Sequence, residues 1–530
     1  MQRRKFIRNA AITATAVPGL INGFSLTAHA ENSPVARLLL SGTENDHVLV
    51  VIQLTGGNDG LNTVIPKDQY GNYLAARGNI AIPQNSILAL TGTAATGLHP
   101  ALAGLRDLYD DGKLCIIQSV GYPNPSFSHF RSTDIWSTAS ESNQYLTDGW
   151  LGRYLNAEYA GFPNGYPTAE MPDPLAIQFG STATLSLLGP VSNMGYTITD
   201  PNSFLNDTIG GQDPVPSDTP MGDKLAYVRN ISGQAAAYSA VIRTAFNRAG
   251  NNNLTTYPSG NNLASQLRIV ARLINGGLKT KIYVVNLKGF DTHASQANII
   301  DPTTGNHANL LSSVGDSIKA FQTDLQLMNK DQNVLGMTFS EFGRRVKSNT
   351  SNGTDHGIAA PMFVFGSKVT PGIVGTNPVL PVAPGVGDNI AMQFDFRSVY
   401  YSMMKRWLCQ DSSSLQQIML QNFSDLNICN NADCSPLGRP NVVNEQNLVT
   451  ASPNPSNGLT TVSFRTNGGH TLLQLVSKEG TPLQTLLEAT YGGPQTINKN
   501  VDLGAYKTGM YYIRFQNGKQ VQMKAVVKMQ

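Results

Sequence analysis

The chain is 530 residues long, with 14% charged residues, 41% hydrophobic ones and a formal net charge of +3. So weak a charge excludes an electrostatic nucleic-acid binder, because phosphate recognition needs a dense basic face. The length exceeds one typical domain and predicts a large domain with a smaller companion.

The segment "MQRRKFIRNAAITATAVPGLINGFSLTAHA" has a basic start, an apolar middle broken by Pro18 and Gly19, and Ala28-His29-Ala30 before Glu31. This is the layout of an export signal over residues 1–30, with cleavage after Ala30. The adjacent Arg3 and Arg4, followed by Phe6, resemble the twin-arginine form, which carries folded proteins across a bacterial inner membrane. The apolar middle is too short and too broken to span a bilayer, and no later run of ~18 apolar residues follows, so no transmembrane segment is expected in the mature chain.

From about 47 to 410, short apolar runs alternate with amphipathic helices. "HVLVVIQL" (47–54), "LCIIQSV" (114–120), "KIYVVNL" (281–287), "VLGMTF" (334–339) and "MFVFG" (362–366) are continuous runs of the kind found in strands covered on both faces. Between them "ALAGLRDLYDDG", "NNLASQLRIVARLINGG" and "HANLLSSVGDSIKAFQTDLQLM" repeat their apolar residues every three or four positions. The alternation predicts an α/β/α sandwich around a mostly parallel sheet over residues 31–425. A Pro-, Gly- and Asn-rich stretch from about 160 to 260, with one helix near 224–249, is expected to be an insertion covering an edge or face.

Residues 426–446 form a polar connector carrying Cys429 and Cys434. Four intervening residues and an oxidising destination predict a disulfide between these two, and zinc is the rival for which no second pair is present. Cys115 lies in an apolar run and is expected in the core. From 447 to 530 the apolar period drops to two, which predicts a small β-sandwich of some seven strands. Within it "SPNPSNGLTTVSF" and "LGAYKTGMYYIRFQNGKQVQMKAVVK" resemble the C-terminal sorting domain of type IX secretion in the Bacteroidetes lineage. That resemblance implies passage across the outer membrane and then release or surface attachment.

Ligands of open α/β sheets sit beyond the carboxyl ends of the strands, so polar residues just after each run are the candidates. These are Asp59 in "TGGNDG", Ser126, Ser128 and His129 in "NPSFSHFRS", Asp291 and His293 in "GFDTHASQ", Glu341, Arg344 and Arg345 in "SEFGRR", and Asp355 and His356 in "GTDHG". Carboxylates gathered on one rim repel unless cations neutralise them, and mixed carboxylate and imidazole donors suit zinc, manganese or iron, with magnesium or calcium where oxygen dominates. Two such ions and a serine at a helix start would serve displacement at a phosphoryl or sulfuryl centre, with Arg344 or Arg345 on the oxyanion. Each residue also has a plainer role: a turn for Asp59, a helix cap for Ser128, packing for His307, helix entry for His99, and carboxylate pairing for the arginines.

The segments "VVIQLTGGNDGLNTVIP", "GLHPAL", "SHFRSTDIW", "GWLGRYL", "GFDTHASQ", "FSEFGRR", "GTDHGIAAP" and "DFRSVY" together resemble the exported bacterial family known as domain of unknown function 1501. That family is grouped with the alkaline phosphatase and sulfatase superfamily, so the resemblance implies an alkaline phosphatase-like sandwich and a two-metal site. It makes Asp59, Asp291, His293, Asp355 and His356 similar to metal ligands and Ser128 similar to the nucleophile. A later histidine ligand is absent, the next after His356 being His470, so either Glu341, His307 or Asp395 substitutes for it or one metal site is lost. A single residue, Thr292, separates Asp291 from His293, where the superfamily has three.

The expectation is an exported, metal-dependent hydrolase of a small-molecule or glycan phosphate or sulfate ester, with Ser128 attacking and His129 or His293 moving a proton. The alternative is a non-catalytic secreted or surface-bound binding protein on the same fold. A copper or redox role finds no cysteine and methionine ligand cluster.

Overall fold

Alternate residues of the strand β1 (Val48–Thr55) enter opposite cores: Leu49 and Val51 on one side, Val48, Val50, Ile52 and Leu54 on the other. This explains why the run is apolar throughout rather than every second residue. The computed structural model describes residues 19–21, 24–26, 46–159, 162–163, 166–168, 171–190, 192–199, 237–250, 253–430, 449–452, 456–466, 468–477, 482–493, 495–517 and 520–529. Residues 19–21 and 24–26 pair as two short antiparallel strands. The rest of the expected export signal, most of the 426–446 connector and Cys434 lie outside the described residues.

The chain divides into two units, residues 45–435 and a second comprising 1–44 with 436–530. In the larger unit β1 is joined by β2 (Leu114–Gly121), β3 (Ala176–Phe179), β4 (Gly195–Ile198), β5 (Ile282–Lys288) and β6 (Val334–Phe339). A hairpin of β7 (Gly343–Ser348) and β8 (Thr354–Gly357) precedes β9 (Ala360–Phe365), β10 (Gly372–Val374) and β11 (Phe394–Asp395). Among the described residues the main sheet has nine strands in the order β10-β2-β9-β6-β1-β5-β3-β4, with β11 also on β2. All pairings are parallel except those of β9, which runs antiparallel to β6 and β2. The expected insertion contributes β3 and β4, so it extends the sheet edge, and residues 237–248 are helical.

Helices sort onto the two faces or their margin, among them α1 (Tyr70–Arg77), α2 (Ala103–Asp110), α3 (His129–Thr138), α4 (Trp150–Glu158), α5 (Asn262–Asn275), α6 (Asn306–Leu327) and α7 (Phe396–Ser402). Leu105, Leu267 and Phe321 of α2, α5 and α6 cover one face, and Trp136, Trp150 and Tyr400 of α3, α4 and α7 the other. The result is the expected α/β/α sandwich. Because β6, β1 and β5 are adjacent and parallel, the loops after them leave side by side at one end of the sheet.

The expected pairing of Cys429 with Cys434 is not formed. Cys429 is a free thiol, and Cys409 is the disulfide-bonded cysteine. Packing explains the difference, since Cys429 bridges Val369 by its backbone and belongs to the core at 0% exposure, where it has no route to a partner in the polar connector. Cys115 is buried and free as expected.

The smaller unit places seven strands, among its described residues 449–529, in two sheets. Val449–Ser452, Leu459–Thr466 and Gln495–Asp502 make one, and Pro482–Tyr491, Gly469–Val476, Gly509–Asn517 and Gln520–Lys528 the other. Val462 and Phe464 from the first meet Leu473, Ile513 and Phe515 from the second in one core, with the Phe464 and Phe515 rings 5.2 Å apart. That is a β-sandwich.

The start of β1 is fastened by Trp407, which is 1% exposed, donates its indole N–H to the Val48 carbonyl at 3.0 Å and stacks on His47 at 3.9 Å. Trp407→Ala is expected to cost about 3–5 kcal/mol through the cavity it leaves. Urea unfolding checks this, and a cost under about 1 kcal/mol would show that the ring does not fasten the strand.

Candidate metal centre

Glycines let the strand-end loops approach each other. Gly56, just after β1, has φ +127°, and a Cβ there would lie 2.3 Å from the Asp291 amide nitrogen. The β7–β8 hairpin sets Arg344 opposite His356. A Cβ on Gly353 would strike the His293 backbone at 2.3 Å, and one on Gly357 the Arg344 backbone at 2.3 Å. The glycines around "TDHG" therefore allow the hairpin to press Asp355 and His356 against the loop after β5.

Three imidazoles meet there, each anchored through Nδ1 to an oxygen. His129, the first residue of α3, lies 2.8 Å from Glu341 Oε1, His356 lies 2.8 Å from the Phe127 carbonyl, and His293 lies 3.3 Å from Asp355 Oδ1. All three Nε2 atoms face the Asp291 carboxylate, at 3.4, 3.2 and 3.2 Å for His129, His356 and His293. The His293 and His356 Nε2 atoms are 2.9 Å apart. The Phe342 ring lies against His129 and His356, with centroids at 4.8 and 4.3 Å.

The hydrogen bonds dictate the charge requirement. A carbonyl can only accept, so His356 carries its proton on Nδ1, and the carboxylates ask the same of His129 and His293. In neutral rings each Nε2 is then a lone pair aimed at a carboxylate oxygen. Acceptors facing acceptors at such distances repel unless a proton or a cation lies between them. Burial lowers the His356 pKa and outweighs the Phe127 carbonyl and Asp291, which favours the neutral ring. At Asp291 burial raises the carboxyl pKa, but the Arg344 hydrogen bond and charge, with the neighbouring His356 and His293, overcome it and hold the group at about 2. Asp355 is likewise held low, because Asn349, His293 and Arg345 outweigh burial. His129, Asp291 and His356 offer ligand atoms within 4.8 Å of one another, and His293 adjoins the same group. Imidazole nitrogens with a carboxylate, backed by anchored Nδ1 atoms, form a donor set suited to zinc and its neighbours.

Several candidates take other roles. Glu341, expected as a ligand, is 0% exposed and stands behind His129, also accepting from the Gly56 amide at 2.9 Å. Asp355 stands behind His293 in the same way. Arg344, expected on an oxyanion, is 0% exposed and spends its donors on the carbonyls of Gly56, Gly57, Phe290 and Thr354 and on Asp291. Arg345 is half-buried, donates to the Val386 carbonyl at 3.1 Å and acts electrostatically on Asp355, so it remains the arginine of the rim. Ser128 is exposed and caps α3, its hydroxyl accepting from the Arg131 amide at 3.5 Å. His99 caps a one-turn helix at Pro100–Leu102, and Asp395 caps α7 and pairs with Arg397 at 2.7 Å.

Asp59 does not join the cluster. It is 0% exposed, paired with the equally buried Arg77, and its Oδ2 accepts from Gln296 Nε2 at 2.5 Å. His307 lies in the same buried layer, its Nε2 3.0 Å from Asn58 Oδ1, and burial pushes its pKa down to about 4. Arg77 and Gln296 are the residues that sequence reasoning missed. Gln296 falls in the quoted "GFDTHASQ", whereas Arg77 ends a short polar helix and gives no sign of burial. The concavities of about 400 and 570 Å³, near Arg248 and near Tyr257, contain none of the cluster residues, which sit on an open rim with Asp291 47% exposed.

Residues 203–390 match the family described as "Protein of unknown function (DUF1501)", and residues 451–529 match the "Secretion system C-terminal sorting domain". The first match holds Asp291, His293, Glu341, Arg344, Arg345, Asp355 and His356, while Asp59, Ser128 and His129 precede it. No curated protein matches the chain. Among solved structures the chain is similar to a protein in the alkaline phosphatase superfamily from Vibrio parahaemolyticus, at 7% identity and TM-score 0.31, over 100% of this chain and 91% of that one. It is similar to the PsFucS1 sulfatase from Pseudoalteromonas sp. at 10% identity and TM-score 0.33, over 92% and 91%. The alkaline phosphatase from the Antarctic bacterium TAB5 matches at 11% identity and TM-score 0.28, over 62% and 94%. Likenesses this distant carry no argument about chemistry.

The buried pair makes a prediction with a defined pH sign. Burial raises the Asp59 pKa, but Arg77, His307 and Gln296 outweigh it and lower the net value, so its pairing stabilises the fold above the unfolded value of about 3.9 and is lost as pH falls below it. In Arg77→Met burial acts without the guanidinium and the folded pKa rises. The variant should lose about 3–5 kcal/mol at pH 7, and its deficit should narrow toward pH 4.5 as the carboxyl protonates. Urea unfolding at both pH values checks this, and an equal deficit at both would refute the assignment.

Proposed function

We propose that the chain is an exported protein whose rim cluster holds a divalent cation and hydrolyses a phosphate or sulfate ester. The observation that carries this reading is the convergence of three Nδ1-anchored imidazoles, through Nε2, on one carboxylate kept ionised by a buried arginine. His129, Asp291 and His356 would hold the ion. When bound, a zinc or manganese ion would act there as a Lewis acid toward an ester oxygen. Glu341 fixes the tautomer and direction of His129. His293, at 45% exposure the most open of the three rings, is the one available to move a proton. Ser128, at the positive end of α3 and next to His129, keeps the nucleophile's role, and Arg345 that of anion partner. The ester class rests on the motif resemblance. The match to a secretion sorting domain supports export to the outer surface or beyond, with the export machinery as partner, and no described helix is long and apolar enough to cross a membrane.

The openness of the rim, with Asp291 47% exposed, favours a second reading in which the same cation-bearing surface binds a secreted partner or glycan without turnover. One experiment separates the two. Phosphate and sulfate esters are assayed with added zinc, manganese or calcium, alongside zinc calorimetry. The hydrolase reading expects turnover that falls at least 100-fold in Asp291→Asn. The binding reading expects zinc uptake with no turnover, and turnover unchanged in Asp291→Asn would remove the proposed site. Glu341→Gln is expected to weaken zinc binding about 10- to 100-fold, the usual cost of losing a carboxylate behind a ligating histidine. An affinity within twofold of the native chain would show that Glu341 does not act through His129.

A further inference from the structure

A two-metal centre of the kind implied by the motifs needs the aspartate after the first strand as a ligand, and the layer beneath the rim is built against it. Asp59 and Arg77 are each 0% exposed and in direct contact. The guanidinium cannot swing aside, because it also donates to the carbonyls of Val346 at 2.9 Å and Arg345 at 2.6 Å and to Asn62 Oδ1 at 3.2 Å. Gln296 holds the same carboxylate oxygen from the other side, while its own carbonyl accepts from Thr292 and Thr354 at 3.0 and 2.7 Å. The polar shell around Asp59 is thus continuous with the loop after β5 and with the hairpin.

We infer that the rim takes a single divalent ion per chain, and that the Arg77 guanidinium is the fixed positive charge which neutralises Asp59 in place of a second ion. This rests on the cation-holding reading proposed above. Asp291 also meets a buried guanidinium, that of Arg344, but through Oδ1 and at 47% exposure, so it still opens onto the rim. A divalent ion at the fully enclosed Asp59 would face the Arg77 guanidinium at contact distance, and displacing that guanidinium would leave it charged and unpaired in a dry interior. No separate ligand set compensates, since among the described residues the convergent potential ligands all lie in this one cluster around Asp291. His307 faces Asp59, but its Nε2 is engaged with Asn58 Oδ1. The Oδ1 atom of Asp59 and Nδ1 of His307 are buried without a protein partner. The Arg77 charge acts on both groups, which disfavours a second cation between them.

The test counts zinc. The full chain is stripped with a chelator, dialysed against zinc, and its metal content is measured beside that of His356→Ala, which corrects for adventitious zinc at exposed histidines such as His470. The expected difference is one equivalent per chain. The double variant Asp59→Asn with Arg77→Met removes both buried charges together and so avoids stranding either one. It should keep that equivalent with a Kd within about threefold of the native chain. Two site-dependent equivalents in the native chain would overturn the inference and leave the cation reading standing, as would loss of zinc from a folded double variant. No site-dependent zinc at all would overturn the cation reading itself. If the double variant fails to fold, the native stoichiometry alone decides.

Discussion

Arg344 is buried to zero exposure, and its hydrogen bonds run to carbonyls on the loop after β1, the loop after β5 and the β7–β8 hairpin, and to the Asp291 carboxylate. A guanidinium has donors in a rigid planar fork and no accessible neutral form, so it can tie several acceptors into one geometry where a lysine would offer a mobile point charge. The convergence of segments far apart in sequence depends on that fork. Its charge also keeps Asp291 ionised in the midst of three imidazoles, which is what gives the cluster its demand for a positive charge.

A second guanidinium repeats the arrangement one layer down. Arg77 binds Asp59 and the carbonyls of Val346 and Arg345, fastening α1 to the hairpin as Arg344 fastens the hairpin to the sheet. The site is thus organised as fixed cations below and imidazoles above. The imidazoles are the groups whose state answers to pH or to a metal, and the arginines are not. The chemistry proposed for the rim depends on exposure: both Asp59 and Asp291 meet a buried guanidinium, but Asp291 is 47% exposed and faces the imidazoles, whereas Asp59 is enclosed at 0%.

Strand positions were legible in the sequence because burial on both faces leaves an unmistakable apolar run: "VLGMTF" spans 334–339 in sequence and in structure. The antiparallel direction of β9 was not, since a run has the same composition in either direction. At the rim, Asp291, His293, Asp355, His356 and His129, each named for its place after a strand, lie side by side. Their ranks as ligand or support were not legible, because the difference between Asp291 and Glu341 lies in which imidazole nitrogen each one faces. Arg77 escaped altogether, as its burial comes from the hairpin folding over it some 270 residues later in the chain and nothing local records that. The disulfide expectation failed for a related reason. Four intervening residues measure chain proximity, whereas the direction of the Cys429 side chain is set by its backbone bridge to Val369.

That cysteine arrangement bears on how the chain matures. Burial holds the thiols of Cys115 and Cys429 up to about 12, so at neutral pH the thiolate fraction of each is on the order of 10⁻⁵. Exchange proceeds through thiolate attack, and neither sulfur can be reached once the sheet has formed. The order in which core and crosslink form therefore bears on the outcome, and a core that closes first withdraws half of the chain's cysteines from the competition.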